Sequence, residues 1–182
     1  SDFTLITGHS ASRSANPVTA QTLSVDTFND SIVDQTLAIP VSSSSQFTLK
    51  EFKENASKTG IAAESITRVS IDPIAVTISG TASMSIAAGL RDAVSVSASI
   101  LPDDLTNLAT ELNKVAEITG VKAIITSDKK RIILENSDAE DIKITNFSSP
   151  NSTTATVLDQ YYRATSSSIS LSSASNSNSA VF

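Results

Sequence analysis

The sequence predicts an α+β fold: two related units, each a short helix packed on a small, mainly antiparallel sheet, joined by a β-rich connection. Three observations carry this expectation. Two stretches, ASKTGIAA at 56–63 and AEITGVKA at 116–123, each end a helix-like pattern at Thr-Gly and then open an apolar, strand-like one. Between them, IAVTISG (74–80), ASMSIAAG (82–89) and AVSVSASI (93–100) alternate small polar with apolar residues, the pattern of an antiparallel meander. After them, Leu105, Leu108, Ala109, Leu112, Val115, Ala116 and Ile118 form an i, i+3, i+4, i+7 stripe. The first unit is expected over 1–90 with its helix at about 48–58. The second is expected over 91–182, with its helix at about 104–118 and a returning C-terminal strand.

The elements follow in order. Residues 1–17 are polar and Ser-rich and read as a loop or frayed end. VTAQTLSV (18–25) suits an edge-like strand, and TLAIPV (36–41) alternates Leu37, Ile39 and Val41, with Pro40 marking an edge or an end. Thr48-Leu49-Lys50-Glu51 fits a capping box, in which Thr48 Oγ accepts the Glu51 N–H and Glu51 reaches back to the Thr48 N–H; Phe47 and Phe52 flank it as a staple. Gly60 closes that helix in a left-handed conformation. Residues 61–71 follow as a strand, and Asp72-Pro73 turns the chain into the meander. Asp103 or Asp104 caps the second helix, and Gly120 stops it. KAIIT (122–126) and RIILEN (131–136) make a hairpin with Ile124, Ile132 and Leu134 on its core face, and DIKIT (141–145) is a third strand. The stretch from Ser148 to about Thr156 reads as a loop, and TSSSISLSS (165–173) as the last strand.

Composition excludes several function classes. The net charge of −6 argues against nucleic acid or an anionic membrane as partner, since either needs a basic patch. Apolar runs of a few residues do not span a bilayer. Cys is absent, which removes thiol nucleophiles, disulfides and Cys-zinc sites. Trp is absent and aromatics are 4%, so no aromatic stacking platform is expected, the Phe and Tyr residues reading as core-like. The start, SDFTLITGHSASRSA, has neither an initiator Met nor a basic region followed by an apolar one, so the chain is expected to be an interior segment of a longer protein.

Aligning 49–63 with 109–123 leaves five identical positions: Glu51/Glu111, Ala56/Ala116, Thr59/Thr119, Gly60/Gly120 and Ala63/Ala123. The stretch LTNLATELNKVAEITGVKAIITSDKKRIILENSDAEDIKI (105–144) resembles the repeat in the outer, variable domains of bacterial flagellins and of some hook-associated and filament-cap proteins. Its carriers are Leu108, Leu112 and Asn113 on the helix, Thr119-Gly120-Val121-Lys122-Ala123, the strand Arg131–Leu134, and Asp141-Ile142-Lys143-Ile144. Residues 36–64 resemble a more divergent copy, and 164–182 resemble the strand that leads such domains back toward the filament core. The turn Ser127-Asp128-Lys129-Lys130 lacks the family's Gly, and Glu140 stands where a Gly usually precedes the D-I-x-I strand. The family's long heptad-bearing terminal helices, which polymerise the filament, have no counterpart here.

Candidate chemistry is sparse. Gly8-His9-Ser10-Ala11-Ser12 falls one residue short of a Gly-x-Ser-x-Gly elbow, and the single His adjoins the Ser it would have to serve. Glu135–Asp141 is the densest acidic run but lacks the frame of a calcium loop. Asp103-Asp104 reads as cap and dipole partners. Lys129-Lys130-Arg131 is too short a basic tip for nucleic acid. Asn29, Asn55, Asn146 and Asn151 match the Asn-x-Ser/Thr pattern. The Ser/Thr-rich stretches 42–45, 148–156 and 165–179 are candidate O-glycan acceptors by analogy with the family.

No catalytic, cofactor-binding or metal-ligating residue is assigned, and no cofactor is expected. The resemblance implies a non-enzymatic structural protein: a secreted, extracellular outer domain on the surface of the flagellar filament, contributing to motility. Its partners would be other flagellin subunits, met through terminal regions not present in this chain. A hook-associated or cap protein, or a secreted adhesive or glycan-binding module, is the alternative. The separate chain is expected to be a monomer, with 18–25 and 165–173 lying close together or paired. The capping box predicts that Thr48→Ala lowers stability by about 1 kcal/mol, read as a lower denaturant midpoint.

Overall fold

The computed structural model describes residues 20–25, 35–40, 50–56 and 64–182. They divide into two compact units, one within 12–65 and the other over 66–182. In the first unit, β1 (Gln21–Val25) pairs antiparallel with β2 (Gln35–Ile39), setting Leu23 opposite Leu37. Leu37 is buried while Thr36 and Ala38 are exposed, as the alternation predicts. Pro40 directly follows the strand. Residues 50–56 form the helix α1. Thr48, Phe47, Val41 and Gly60 lie outside the described residues, and so do the whole 42–45 loop and the Gly8–Ser12 stretch.

The second unit is mostly β. Its strands are β3 (Thr67–Ile71), β4 (Gly80–Ala88), β5 (Val94–Ile100), β6 (Lys122–Ile125), β7 (Ile132–Asn136), β8 (Ile142–Ser148), β9 (Thr153–Leu158), β10 (Ala164–Leu171) and β11 (Ala180–Val181). They form a five-stranded sheet, β10-β9-β3-β7-β6, and a four-stranded sheet, β11-β8-β4-β5, and every pairing is antiparallel. Val69, Ile71, Ile132 and Leu134 of the first sheet share one core with Met84, Ile86, Ile142, Ile144 and Phe147 of the second. Helix α2 (Thr106–Lys114) adds Leu108, Ala109 and Leu112 to it. The α+β class and the antiparallel sheets therefore stand. The division does not fall at 90/91, which lies in the tight turn between the paired strands β4 and β5. β3, placed in the first unit by sequence, pairs with β7 and β9.

Several elements differ from the sequence expectation. Residues 74–79 are not a strand. Ile74 is buried and Val76 packs on the core, which accounts for the alternation, but β4 already has β5 and β8 on its two edges and offers no place for another strand. β9 occupies what reads as a Ser/Thr-rich loop. Its Thr153, Ala155 and Thr156 are buried between β3 and β10, and β-branched Thr suits that position. The two-residue β11 is too short to leave a periodic signal. The expected single helix breaks at Val115 (φ −107°, ψ 6°) into α2 and a short α3 (Ala116–Thr119), and Ile118, expected on the core stripe, is 58% exposed. Ile124 faces away from the core opposite Ile133, while Ala123 and Ile125 pair with Leu134 and Ile132 on the core side. β1 pairs with β2, and β10 pairs with β9.

The stripe on α2 decides how this unit closes. Burying Leu108 and Leu112 lays the helix between β5 and β6, which are the same-side edges of the two sheets. Edge strands carry unpaired backbone groups that need partners. Asn113 supplies both for Ala123 on β6: its Nδ2 donates to Ala123 O at 2.8 Å, and its Oδ1 accepts the Ala123 N–H at 2.9 Å. Asn107 Nδ2 donates to Ser99 O on β5 at 3.2 Å. Asn113→Ala should therefore destabilise by roughly 1–3 kcal/mol, because two part-buried backbone groups lose their partners. Asn107→Ala, at an exposed contact, should stay within about 0.5 kcal/mol. Urea denaturation of the two variants measures the contrast.

Candidate functional site

The Thr-Gly junction is built from the motif residues themselves. Thr119 is fully buried; its Oγ1 donates to Val115 O at 3.0 Å and accepts the Val121 N–H at 3.3 Å. Gly120 takes the expected left-handed conformation (φ 70°, ψ 13°), and its N–H donates to Ala116 O at 2.8 Å. Asn136, at the end of β7, donates from Nδ2 to Gly120 O at 2.9 Å and accepts the N–H groups of Asp138 and Glu140 on Oδ1. One buried amide thus ties the helix end to the turn before β8. Arg91, from the β4–β5 turn, packs against Gly120: a Cβ on Gly120 would lie 2.6 Å from Arg91 Nε. The same guanidinium meets Asp138 at 3.3 Å and Glu140 at 3.5 Å.

Beside this junction lies an open groove of about 310 Å³, with Arg91, Gly120, Lys122, Glu135 and Asp138 among its walls. Two of its carboxylates, Glu135 and Asp138, are engaged. Glu135 accepts from Arg68 Nε at 2.7 Å in a pair whose side chains are only 12% and 16% exposed, and Asp138 faces Arg91. The acidic run 135–141 is therefore a guanidinium-paired turn. Among the described residues, no three His, Cys, Asp or Glu side chains are grouped to hold a metal.

The other sequence candidates are also drawn into the scaffold. Asp104 Oδ1 accepts the Thr106 N–H at 2.9 Å, so Asp104 satisfies the helix start although Leu105 is the cap residue. The basic tip folds onto acidic partners: Lys129 meets Asp104 at 3.7 Å, Lys130 meets Asp103 at 3.4 Å, and Arg131 meets Asp72 at 3.2 Å. Asn55 donates to Glu51 O within α1. Asn146 is exposed, with φ 53°, where one extra residue of β8 interrupts its register with β4. Asn151 donates to Ala75 O. Asn29 lies outside the described residues. Of the Ser/Thr-rich stretches, Thr165–Ser168 on β10 is exposed, whereas Thr153 and Thr156 are buried.

One feature runs against the sequence reading of the aromatics. Tyr161 and Tyr162 sit on the turn between β9 and β10, 66% and 48% exposed. Asp159 organises this turn. Its Oδ1 accepts the Tyr161 N–H at 2.8 Å and the Arg163 N–H at 3.0 Å, and its Oδ2 accepts from Arg163 Nε at 2.8 Å. Tyr162 holds φ 61°, an uncommon conformation for an aromatic residue. Its ring covers the Arg68 guanidinium at 4.4 Å, and its hydroxyl donates to Glu135 at 2.9 Å. Arg163 lies 4.9 Å from the Tyr161 ring centroid. The readable signal was the adjacency Tyr161-Tyr162-Arg163 in a chain with only two Tyr.

No protein-family model matches the chain, and no curated protein matches it. No helix among the described residues is long and apolar enough to cross a membrane.

Gly120→Val should cost about 1–2 kcal/mol or more, from the left-handed conformation and from displacing Arg91. A double-mutant cycle of Gly120→Ala with Arg91→Ala, read by denaturation, should show coupling of at least about 0.5 kcal/mol. The Arg163 N–H above all, with the Tyr161 N–H and the Arg163 guanidinium, holds the Asp159 carboxyl below its usual range against the opposing effect of desolvation. A depressed folded value means that the turn's stabilisation is complete above the unfolded value of about 3.9 and is lost as pH falls through the folded one. The Tyr161 and Arg163 amide resonances should therefore titrate below the ordinary Asp range, and Asp159→Asn should abolish that step.

Proposed function

We propose that this chain is an outward-facing outer domain of a bacterial flagellar filament subunit, secreted and displayed on the filament surface as structure rather than as an enzyme. The observation that carries the reading is the resemblance over 105–144 together with the roles its motif residues play. Asn113 caps the β6 edge, Thr119 and Gly120 close the helix, and the hairpin β6–β7 and the strand β8 follow in the family's order. Both turns carry a backbone demand that glycine would meet: Lys129 in the hairpin turn holds φ 62°, and Ala139, one residue before the Glu140 that stands where the family has Gly, holds φ 56°. Exposed hydroxyls along Thr165–Ser168 are the O-glycan acceptors this reading favours.

The two helix-then-strand stretches, α1 before β3 and α3 before β6, are read as related copies through that shared order, although β3 belongs to the larger unit. A sixty-residue offset maps β3 onto 127–131, the turn between β6 and β7, so the likeness is one of order and not of strand position. Subunit contacts in the filament belong to terminal helices outside this chain.

The flanking reading frame tests the proposal. Long terminal helices with sustained apolar heptads on both sides support it, and their absence overturns it. The isolated chain should be a monomer that neither forms nor seeds filaments, because its net charge of −6 opposes self-association. Light scattering at sub-millimolar concentration measures this, and a stable oligomer or fibre shifts the reading toward a cap-like or adhesive protein.

A further inference from the structure

We propose that Asn178 is a self-modification site: the Ser179 backbone amide closes on its side chain, ammonia leaves, and the isoaspartate formed on hydrolysis unseats β11 from the β8 edge. This site stands apart from the filament reading and does not depend on it.

The sequence holds four Asn-Ser steps, at 136–137, 151–152, 176–177 and 178–179. Asn is thermolabile, and a small following residue leaves its own amide open to attack the Asn side chain. The structure restrains three of the four. Asn136 is buried, and its side chain holds three partners: Nδ2 donates to Gly120 O, and Oδ1 accepts the Asp138 and Glu140 N–H groups. At Asn151 the leaving group is engaged, because Nδ2 donates to Ala75 O. At Asn176 the attacking group is engaged, because Ser177 N–H donates to Ala174 O at 2.9 Å. Asn178 has none of these restraints: among the described residues neither its Nδ2 nor the Ser179 N–H makes a hydrogen bond.

One contact favours the reaction directly. Ser179 Oγ donates to Asn178 Oδ1 at 3.0 Å, which folds the side-chain amide back over residue 179. Oδ1 is the oxygen on which negative charge develops as the ring closes, so this donor lowers the barrier to closure. Bringing Ser179 N onto Asn178 Cγ takes a rotation of the peptide group between them. Among the described residues that group makes one backbone bond, accepted by Asn178 O from Phe147 N–H at 2.9 Å. Base takes the Ser179 N–H proton, the N–Cγ bond forms, the Cγ–Nδ2 bond breaks, and ammonia leaves with a proton from water. Water then opens the succinimide at Cγ to give Asp, or at the Asn178 carbonyl carbon to give isoaspartate. The isoaspartate runs the backbone through the side chain and lengthens it by one carbon. Asn178 sits on Phe147 and Ala180 on Ile144, and the lengthened chain cannot keep both in register. β11 is only two residues long, and its loss opens the β8 edge to pairing with other chains.

The experiment incubates the full chain at mildly alkaline pH and follows all four Asn-Ser steps by peptide mass spectrometry, beside a sample unfolded in urea. In the folded chain Asn178 should convert at least threefold faster than Asn136, Asn151 or Asn176, whereas in urea the four rates should converge. Ser179→Ala should slow Asn178 at least twofold more in the folded chain than in urea, because the hydroxyl contact is fixed only by the fold. In the aged isoaspartate fraction, hydrogen exchange should find the Phe147 and Ile142 amides, which donate to Asn178 O and Phe182 O, at least tenfold less protected. The proposal is overturned if another Asn-Ser step converts as fast as Asn178 in the folded chain, or if Asn178 stays intact while the urea sample converts. It is equally overturned if Ser179→Ala slows both samples alike, or if the isoaspartate form protects Phe147 as the parent does.

Discussion

Open sheet edges are the constraint on which the larger unit depends. Two stacked antiparallel sheets bury a core between their faces, but each edge strand still presents backbone N–H and C=O groups that invite pairing with other chains. On one flank the answer is a single short helix. The apolar stripe of α2 draws it against both sheets, and that placement brings Asn113 to β6 and Asn107 to β5. Hydrophobic burial supplies the free energy, and the asparagines make the position acceptable to the backbone. On the other flank, residues 172–179 cross between the sheets: Ser172 N–H donates to Ser177 O, and Phe147 N–H to Asn178 O, each at 2.9 Å. β10 is blunted differently. Its pairing with β9 is irregular between Ala164 and Ser168, where Thr165 Oγ1 donates to Val157 O.

Charge in this molecule organises turns more than it stabilises the whole. The pairs that join Lys129, Lys130 and Arg131 to Asp104, Asp103 and Asp72 are largely exposed, and such pairs contribute little each. Their effect is directional. They hold the β6–β7 turn over the start of α2, where Leu105 N–H donates to Lys129 O at 2.9 Å. The Arg68–Glu135 pair differs because it is mostly buried and shared with Tyr162, so it couples the β9–β10 turn to the middle of the five-stranded sheet. The same turn therefore gains rigidity from below, through Tyr162, and from within, through Asp159.

Backbone strain is distributed over residues other than glycine. Asp103, Lys129, Ala139, Asn146 and Tyr162 all hold positive φ. Asn146 turns β8 at its bulge, and the next residue, Phe147, is then fully buried. Lys129 and Ala139 meet a left-handed requirement of turn geometry that a glycine would satisfy without steric cost.

What the sequence determined by itself was whatever local chemistry dictates. Period-2 alternation marked β2, β4, β5 and β10, the apolar stripe marked α2, and Thr119-Gly120 marked the helix end, because each signal arises within a few residues of chain. The acidic partner at the start of α2 was also legible, since an Asp can satisfy an N–H only a residue or two ahead. The tertiary structure alone decided the rest. The alternation at 74–79 cannot say that both edges of β4 are taken, and the Thr-rich stretch at 153–158 reads as a loop until β3 and β10 lie on either side of it. Ile124 and Ile125 are both apolar, and only the register with β7 chooses which one faces the core. The roles of Asn113, Arg91 and the two tyrosines depend on segments distant in sequence, and no window of neighbouring residues contains the partners that define them.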